Sequence, residues 1–335
     1  MKTNPILLFF FLSVCSCSIS AQQTFRVMFY NVENLFDPSD DPEKQDEDFT
    51  PEGVKHWSNY RYYTKLNHLA KVISAVGEWE TPALIGLCEV ENDQAMKDLT
   101  AHSLLKQRKY QYVMTESPDV RGIDVALMYQ RDRFKYLSQE NIRIVFPKNK
   151  RKKTRDVLHV IGKVISGDTL DVFVCHFPSR RGGQTASEPD RIHVASIVRA
   201  KADSLISVRQ NANILIMGDF NDEPTDRSIA HTLLQTGKKQ LVNLFAPLVK
   251  NSPTGSYKFQ DEWNFLDQMI VSDNLLQPEK QLHVLPNTAT IFRADFLLIE
   301  DRTHGGIRPL KTFHGGKYEG GYSDHLPVLV DFVVN

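Results

Sequence analysis

The chain has 335 residues, of which 41% are hydrophobic and 24% are charged, a composition typical of a soluble globular protein. Its length is enough for one large layered α/β domain. The formal net charge of -1 excludes a global attraction to nucleic acid, so a polyanionic partner has to be held by local positive charge.

The N-terminus has the features of a signal peptide. An apolar run at residues 6–14 is followed by small residues at 16–21. The run is too short to span a bilayer as a stable helix, so it predicts export. Cleavage after Ala21, the favoured route, would release residues 22–335 as a periplasmic or extracellular protein. Lipidation of Cys17 is the alternative, and it would produce a membrane-anchored lipoprotein.

Hydrophobic periodicity predicts strands mixed with two long helices in a single domain. Alternation at residues 25–29 predicts a first strand that ends at Asn31. Helical spacing predicts amphipathic helices over 59–77 and from a cap at Ser187 to about Val208. Further strands are predicted at 83–88, 124–129, 157–165, 169–177, 213–217, 266–271 and 327–334. This mixture favours mixed sheets with helices outside them.

Polar side chains occur at the ends of these apolar runs along the whole chain. They are Asn31, Glu89, His176, Asp219, Asn221 and Asp267, joined by Asp324 and His325 ahead of the last strand. Carboxylates and imidazoles delivered by several strand ends are what a metal-dependent hydrolase requires.

Glu89 closes a buried strand. An unpaired buried glutamate is costly, so a cation or a basic partner is expected. Hard divalent cations prefer such oxygen ligands. The alternative is a salt bridge at the rim of the sheet.

Asp219 and Asn221 follow another strand directly, after Gly218. Two residues apart, they can face the same way. An aspartate can orient or deprotonate a water, and an asparagine can donate to a developing oxyanion. An ordinary polar turn after a strand is the alternative.

Two histidines have candidate partners. Asp267 lies within an apolar run and needs a partner, for which His325 is the candidate; a carboxylate there would fix the imidazole tautomer and favour its charged form. His176 is followed by Arg180 and Arg181, and imidazolium with guanidinium suits a phosphate.

The remaining cysteines, Cys88 and Cys175, directly precede Glu89 and His176. Because neighbours in a strand point to opposite faces, both thiols are predicted to point away from the site into apolar packing.

The ordered motifs resemble those of the endonuclease/exonuclease/phosphatase superfamily, the deoxyribonuclease I-like proteins, and in particular its secreted bacterial nuclease-like branch. The motifs are Tyr30–Phe36, Cys88–Asn92, His176, Gly218–Asn221, Leu266-Asp267 and Ser323–His325. They follow the family's order across nearly all of the chain after the signal peptide.

The resemblance implies a four-layer sandwich, two mixed β-sheets packed face to face and flanked by α-helices. It also implies a Mg²⁺-dependent phosphoesterase in which Mn²⁺ can substitute. By the same resemblance Glu89 is the principal metal ligand, with Asn31 nearby and Asp324 assisting. The other implied roles are water activation by Asp219, phosphate contacts by Asn221, His176 and His325, and orientation of His325 by Asp267.

The substrate is not determined by these motifs. Trp263, with Tyr257, is a candidate for stacking on a base. Arg180, Arg181 and Arg191 are candidates for binding a terminal phosphate. A nuclease is the favoured hypothesis. A phosphatase or phosphodiesterase on small or lipid-linked phosphates is the alternative, and a non-catalytic binding module is the third. No obligate protein partner is evident.

Overall fold

The computed structural model describes residues 23–77, 81–209, 211–234, 241–252 and 254–335. The predicted signal peptide and Cys17 lie outside the described residues. Among the described residues, no helix has the length and apolar character needed to cross a membrane.

Two large sheets dominate the structure. The strands are β1 (Gln23–Leu35), β2 (Leu84–Val90), β3 (Gln111–Met114), β4 (Asp124–Tyr129), β5 (Phe134–Ile142), β6 (Val157–Val164), β7 (Thr169–His176), β8 (Ile214–Asp219), β9 (Leu241–Asn243), β10 (Tyr257–Phe259), β11 (Glu262–Asn264), β12 (Asp267–Ser272), β13 (Leu282–Val284), β14 (Thr290–Ile291), β15 (Leu298–Glu300), β16 (Ile307–Pro309), β17 (Phe313–His314), β18 (Lys317–Tyr318) and β19 (Val328–Val334). The first sheet has the order β13-β19-β1-β2-β4-β3, with β14 also on β19. The second has the order β5-β6-β7-β8-β12-β9.

The helices are α1 (Asn59–Gly77), α2 (Asp93–Lys97), α3 (Gln184–Val208) and α4 (Leu248–Asn251). Side chains of α1 pack on the outer face of the first sheet, and side chains of α3 pack on the outer face of the second. A third apolar cluster fills the space between the two inner faces. The predicted four-layer sandwich is therefore confirmed.

Helix α1 and several strands match the predicted ones closely because each has a clear apolar pattern, whereas β1 continues to Leu35, past its predicted end at Asn31. Helix α1 and strand β4 have the predicted bounds, and β6 and β7 form the predicted hairpin. Helix α3 begins earlier than predicted, after Gly183 at φ 105°. Ser187 is therefore not its cap: its Oγ donates to the carbonyl of Gly183 at 2.8 Å.

Candidate functional site

Strand direction explains why the polar strand ends meet. β1 runs parallel to β2, and β7 runs parallel to β8, so the carboxyl ends of each pair lie at one edge of its sheet. β12 and β19 run antiparallel to β8 and β1, so their amino ends reach the same edge. In register, His176 lies opposite Asp219, which lies opposite Asp267.

A cavity of about 670 Å³ opens at this edge. Most of the predicted residues line it, namely Glu89, His176, Arg180, Arg181, Asp219, Asn221, Asp324 and His325. A larger cleft of about 800 Å³ lies elsewhere, beside β3, and none of the predicted residues lines it. The convergence of titratable side chains makes the smaller cavity the candidate site.

His325 and Asp267 form the predicted pair. The His325 Nδ1 lies 2.6 Å from the Asp267 Oδ2, and its Nε2 lies 3.8 Å from the Asp219 Oδ2. Burial alone lowers the pKa of His325, but Asp267 and Asp219 outweigh it and hold that pKa well above the usual value. A charged imidazole is thereby presented at the floor of the cavity, with the Tyr257 ring 4.7 Å away between centroids.

Asp219 is held by two donors. Its Oδ1 accepts from the Asn221 backbone at 2.9 Å, and its Oδ2 accepts from the Asn31 amide at 3.1 Å. Burial raises the pKa of Asp219 to about 7, against the lowering effect of His325. The close turn depends on Gly218, where a Cβ atom would lie 2.4 Å from the carbonyl oxygen of Cys175. The carboxylate is thus fixed in orientation and poorly solvated.

Asn221 adopts a left-handed backbone, with φ 52°. Its side-chain nitrogen donates to the carbonyl of Phe177 at 3.1 Å. An amide nitrogen carries two hydrogens, so one remains for a ligand in the cavity that Asn221 lines.

Carboxylates outnumber cations on the other side of the cavity. The Glu89 Oε2 accepts from the Asn34 backbone at 2.9 Å. Burial, together with the like charges of Glu33 and Glu89, raises the pKa of Asp324 to about 7. Lys65 is committed to Glu33, 3.5 Å away, and to the carbonyl of Tyr322. The donor set of Glu89 and Asp324 therefore fits a hard divalent cation, which would supply the missing positive charge.

Asn31 has a different position from the one expected. It is buried, does not line the cavity, and donates to Asp219 while its oxygen accepts from the Glu33 backbone at 2.9 Å. Its contacts make it a residue that positions Asp219. Among the described residues, the tightest groups of possible metal donors are Cys88 with His176 and Asp219, and Asp219 with Asp267 and His325.

The prediction that both cysteine thiols point away from the site is correct for Cys175 and wrong for Cys88. Both thiols are buried and free, and Cys175 packs against the α3 side of its sheet. Cys88 instead faces the inner side, where its sulfur lies within 4.8 Å of donor atoms of His176 and Asp219. A register shift between Cys88 and Val90, with Glu89 at φ 63°, breaks the strict alternation of faces.

Of the three arginines predicted to bind a terminal phosphate, Arg180 and Arg181 line the cavity. Arg180 is oriented by the carbonyl of Asn221 at 2.8 Å and by Asp226 at 2.9 Å. Arg181 is exposed at the mouth. Sequence reasoning missed Arg121, which also lines the cavity, because an arginine in a loop gives no periodic signal.

Arg191, expected to contact a phosphate, does not reach the cavity. It is fully buried in α3, where its Nε lies 2.8 Å from the Asp222 Oδ2 and its Nη1 donates to Ser187. Its position on α3 directs its side chain into the layer between α3 and the sheet, and the linear sequence does not reveal this direction. Its guanidinium satisfies a buried carboxylate and has no free face for a substrate.

Replacing Arg191 with methionine is expected to lower the free energy of unfolding by roughly 3 kcal/mol, because Asp222 would remain buried with only the longer contact to Arg180, 3.6 Å away. Arg227→Met is the matched control, since Arg227 pairs with Glu188 at the surface at 2.9 Å. It should cost no more than about 1 kcal/mol. Urea unfolding measures both, and equal losses would contradict the assigned role of Arg191.

Trp263 also lies outside the cavity wall. It packs against the apolar cluster beneath α1, while its neighbours Glu262 and Asn264 line the cavity. Alternation along β11 explains the difference. Tyr257 and Phe259 are the aromatic residues of the wall, and Phe259 is 60% exposed. The basic run 148–153 is in the loop between β5 and β6 and does not line the cavity.

Comparison with known proteins agrees with this arrangement. The model of the endonuclease/exonuclease/phosphatase family matches residues 26–333, whereas no curated protein matches. An endonuclease/exonuclease/phosphatase family protein from Bacteroides thetaiotaomicron is similar in structure, with a TM-score of 0.58, 15% identity and coverage of 94% of this chain and 99% of that one. TDP2 of D. rerio, complexed with a single-strand DNA product, has a TM-score of 0.58 and 14% identity over 92% of this chain and 98% of that one. The human Nocturnin catalytic domain with a bound sulfate anion has a TM-score of 0.54 and 17% identity over 92% and 93%.

Proposed function

Because the chain belongs to the endonuclease/exonuclease/phosphatase family, whose members hydrolyse phosphoester bonds, we propose that it is an exported, divalent-metal-dependent nuclease. The observation that carries the proposal is the meeting of Asp219 and the Asp267–His325 pair in one cavity with Glu89 and Asp324. The secreted bacterial branch of the family and Mg²⁺ as the natural ion are parts of the same proposal.

The charged His325 imidazole supports the reaction by binding the scissile phosphate. A phosphodiester is an anion that repels an attacking hydroxide, so donors must be aimed where negative charge grows in the transition state. Asp267, 2.6 Å from the His325 Nδ1, keeps the ring charged and leaves its Nε2 to donate toward the cavity. Asn221 adds a second donor from the neighbouring turn.

Asp219 orients the attacking water and accepts its proton. Its two hydrogen bonds, from Asn31 and from the Asn221 backbone, hold the carboxylate in one direction. Positioning of this kind removes part of the entropic barrier to attack. No covalent intermediate with the protein is required.

Glu89 and Asp324 would hold the divalent cation, which when bound neutralises phosphate charge and polarises the P–O bond. Phe259, which is exposed, and the half-buried Tyr257 support a polymer substrate, because aromatic rings in the wall of the cavity offer faces on which bases stack. Arg181 at the mouth offers a contact for a backbone phosphate. A DNA product is bound by the similar TDP2.

Removing divalent cations is expected to stop hydrolysis. The purified protein is incubated with Mg²⁺ or Mn²⁺ and with duplex DNA, single-stranded DNA, RNA or a panel of phosphomonoesters, each with and without EDTA. We expect cleavage of polymer that EDTA abolishes and that excess Mg²⁺ restores. Asp219→Asn, purified identically, is the control for contaminating nucleases.

The outcomes separate the alternatives. Phosphate released from monoesters with polymers untouched would replace the nuclease by a phosphatase. Cleavage that survives EDTA would contradict metal dependence. Inactivity on every substrate, including lipid-linked phosphates, would favour a non-catalytic binding module.

A further inference from the structure

Three chemically different donors meet beneath the floor of the cavity. The Cys88 sulfur, a ring nitrogen of His176 and a carboxylate oxygen of Asp219 all lie within 4.8 Å of one another. The His176 Nε2 lies 3.7 Å from the Asp219 Oδ2 and 3.8 Å from the Glu89 Oε1. Sulfur, nitrogen and one carboxylate oxygen therefore surround one small volume, and the Glu89 carboxylate lies beside His176.

The ring nitrogens of His176 lack hydrogen-bond partners among the neighbouring protein groups that the structure describes. It is 5% exposed, and its Nδ1 has no hydrogen-bond partner among the described residues. The contacts of its Nε2 with Glu89 and Asp219, at 3.8 and 3.7 Å, are longer than hydrogen bonds. The Nε2, which is the ring nitrogen that faces Asp219 and Glu89, is therefore available to a cation.

The spacing suits a tetrahedral ion. Zinc bonds of about 2.0–2.3 Å place tetrahedral donors roughly 3.3–3.6 Å apart. The His176–Asp219 pair, 3.7 Å apart, lies close to this range. The Cys88 sulfur lies within 4.8 Å of both donors, so closing the site requires its side chain to move by at most roughly 1 Å.

The donor types decide which metal binds. Mg²⁺ requires oxygen ligands in near-ideal octahedral geometry and is a poor partner for a thiolate or an imidazole. Zn²⁺ accepts sulfur, nitrogen and carboxylate oxygen together. The thiol of Cys88 thus makes this position selective for a soft divalent cation.

We propose that Cys88, His176 and Asp219 form a Zn²⁺ site, with a water molecule as the fourth ligand, that is distinct from the position for the catalytic cation. On binding, the Cys88 thiol releases its proton to solvent and the thiolate coordinates the metal. The bound zinc would withdraw Asp219 from the attacking water. Inhibition by zinc follows, and that consequence rests on the proposed function, whereas the binding itself does not.

The first test measures metal binding without any substrate. The mature protein, residues 22–335, which holds only Cys88 and Cys175, is titrated with Co²⁺, and a thiolate-to-cobalt charge-transfer band in the near ultraviolet is expected, which Zn²⁺ then abolishes by displacement. Cys88→Ala should remove the band and weaken Zn²⁺ binding at least about tenfold, because the softest ligand is lost. Cys175→Ala is the matched control: Cys175 is equally buried but packs on the opposite face of its sheet, so band and affinity should remain.

A normal band in Cys88→Ala, or its absence from the wild-type protein, would overturn the proposal. If Cys88→Ala fails to fold, the wild-type band and its persistence in Cys175→Ala still decide the question. Hydrolysis is measured separately: inhibition by Zn²⁺ that Cys88→Ala relieves links the site to activity. If the protein hydrolyses no substrate, the cobalt band still tests the site.

Discussion

Replacing His325 with alanine is expected to lower kcat for phosphoester hydrolysis by about 10³-fold or more, since loss of one preorganised donor alone costs about 10²–10³. The change also leaves Asp267 buried without its 2.6 Å partner and removes the positive charge beside Asp219. Asp267→Asn should give a smaller loss, because the imidazole stays in place but its charged form loses support. Steady-state kinetics on the best substrate measures both variants.

His159 provides a matched control for His325. It is also buried, and its Nε2 lies 2.9 Å from the Asp171 carboxylate. The pair lies between β6 and β7 and does not line the cavity. His159→Ala should therefore destabilise the protein yet keep kcat within a few-fold of the wild type. If both histidine variants lost activity equally while both remained folded, the role assigned to His325 would be wrong.

The fold was predictable wherever an element carries its own period. Helix α1 repeats apolar residues at helical spacing, and strand β4 is a short continuous apolar run, so pattern alone gives their bounds. The short hairpins between β10 and β18 have two or three residues per strand. Segments of that length have no measurable period, and their pairing depends on the surrounding structure.

The site was predictable where polar residues end long strands. Glu89, His176, Asp219 and Asn221 all line the cavity, because the carboxyl ends of parallel neighbours necessarily meet at one edge. The sequence does not show local departures from regular geometry. Regular alternation places Cys88 on the inner face together with Leu84, and the irregularity at Glu89 lets that carboxylate line the cavity as well. The pattern of apolar residues does not predict this irregularity.

The second source of error was the direction in which a side chain points from its helix or strand. Arg191 and Trp263 lie near the motifs in sequence, but one turns into the layer under α3 and the other into the cluster under α1. Residue type indicated what these side chains can bind. Only packing determined whether they bind protein or ligand.

A second variant with a large expected effect is Lys65→Met, which removes a buried cation from beneath the site. The Lys65 ammonium lies 3.5 Å from the Glu33 carboxylate, and both side chains are less than a tenth exposed. It also donates to Thr312 at 2.6 Å and to the carbonyl of Tyr322 at 2.8 Å, just ahead of Asp324. Burial lowers the pKa of Lys65, and Glu33 and Asp324 act against that lowering.

Methionine fills much of the volume of Lys65 but leaves Glu33 without its counter-ion, so the free energy of unfolding should fall by roughly 3–5 kcal/mol. Lys97→Met is the control, because Lys97 pairs with Asp93 on an exposed helix surface at 2.6 Å and should cost about 0.5 kcal/mol or less. Adding Glu33→Gln to Lys65→Met should recover part of the loss, since no uncompensated charge then remains. Urea unfolding of the wild type, Lys65→Met, Glu33→Gln and the double variant measures the coupling between Lys65 and Glu33, and Lys97→Met is unfolded alongside them. Additive effects would show that the two side chains act independently, and the charge balance argued for this side of the cavity would then have to come from another group.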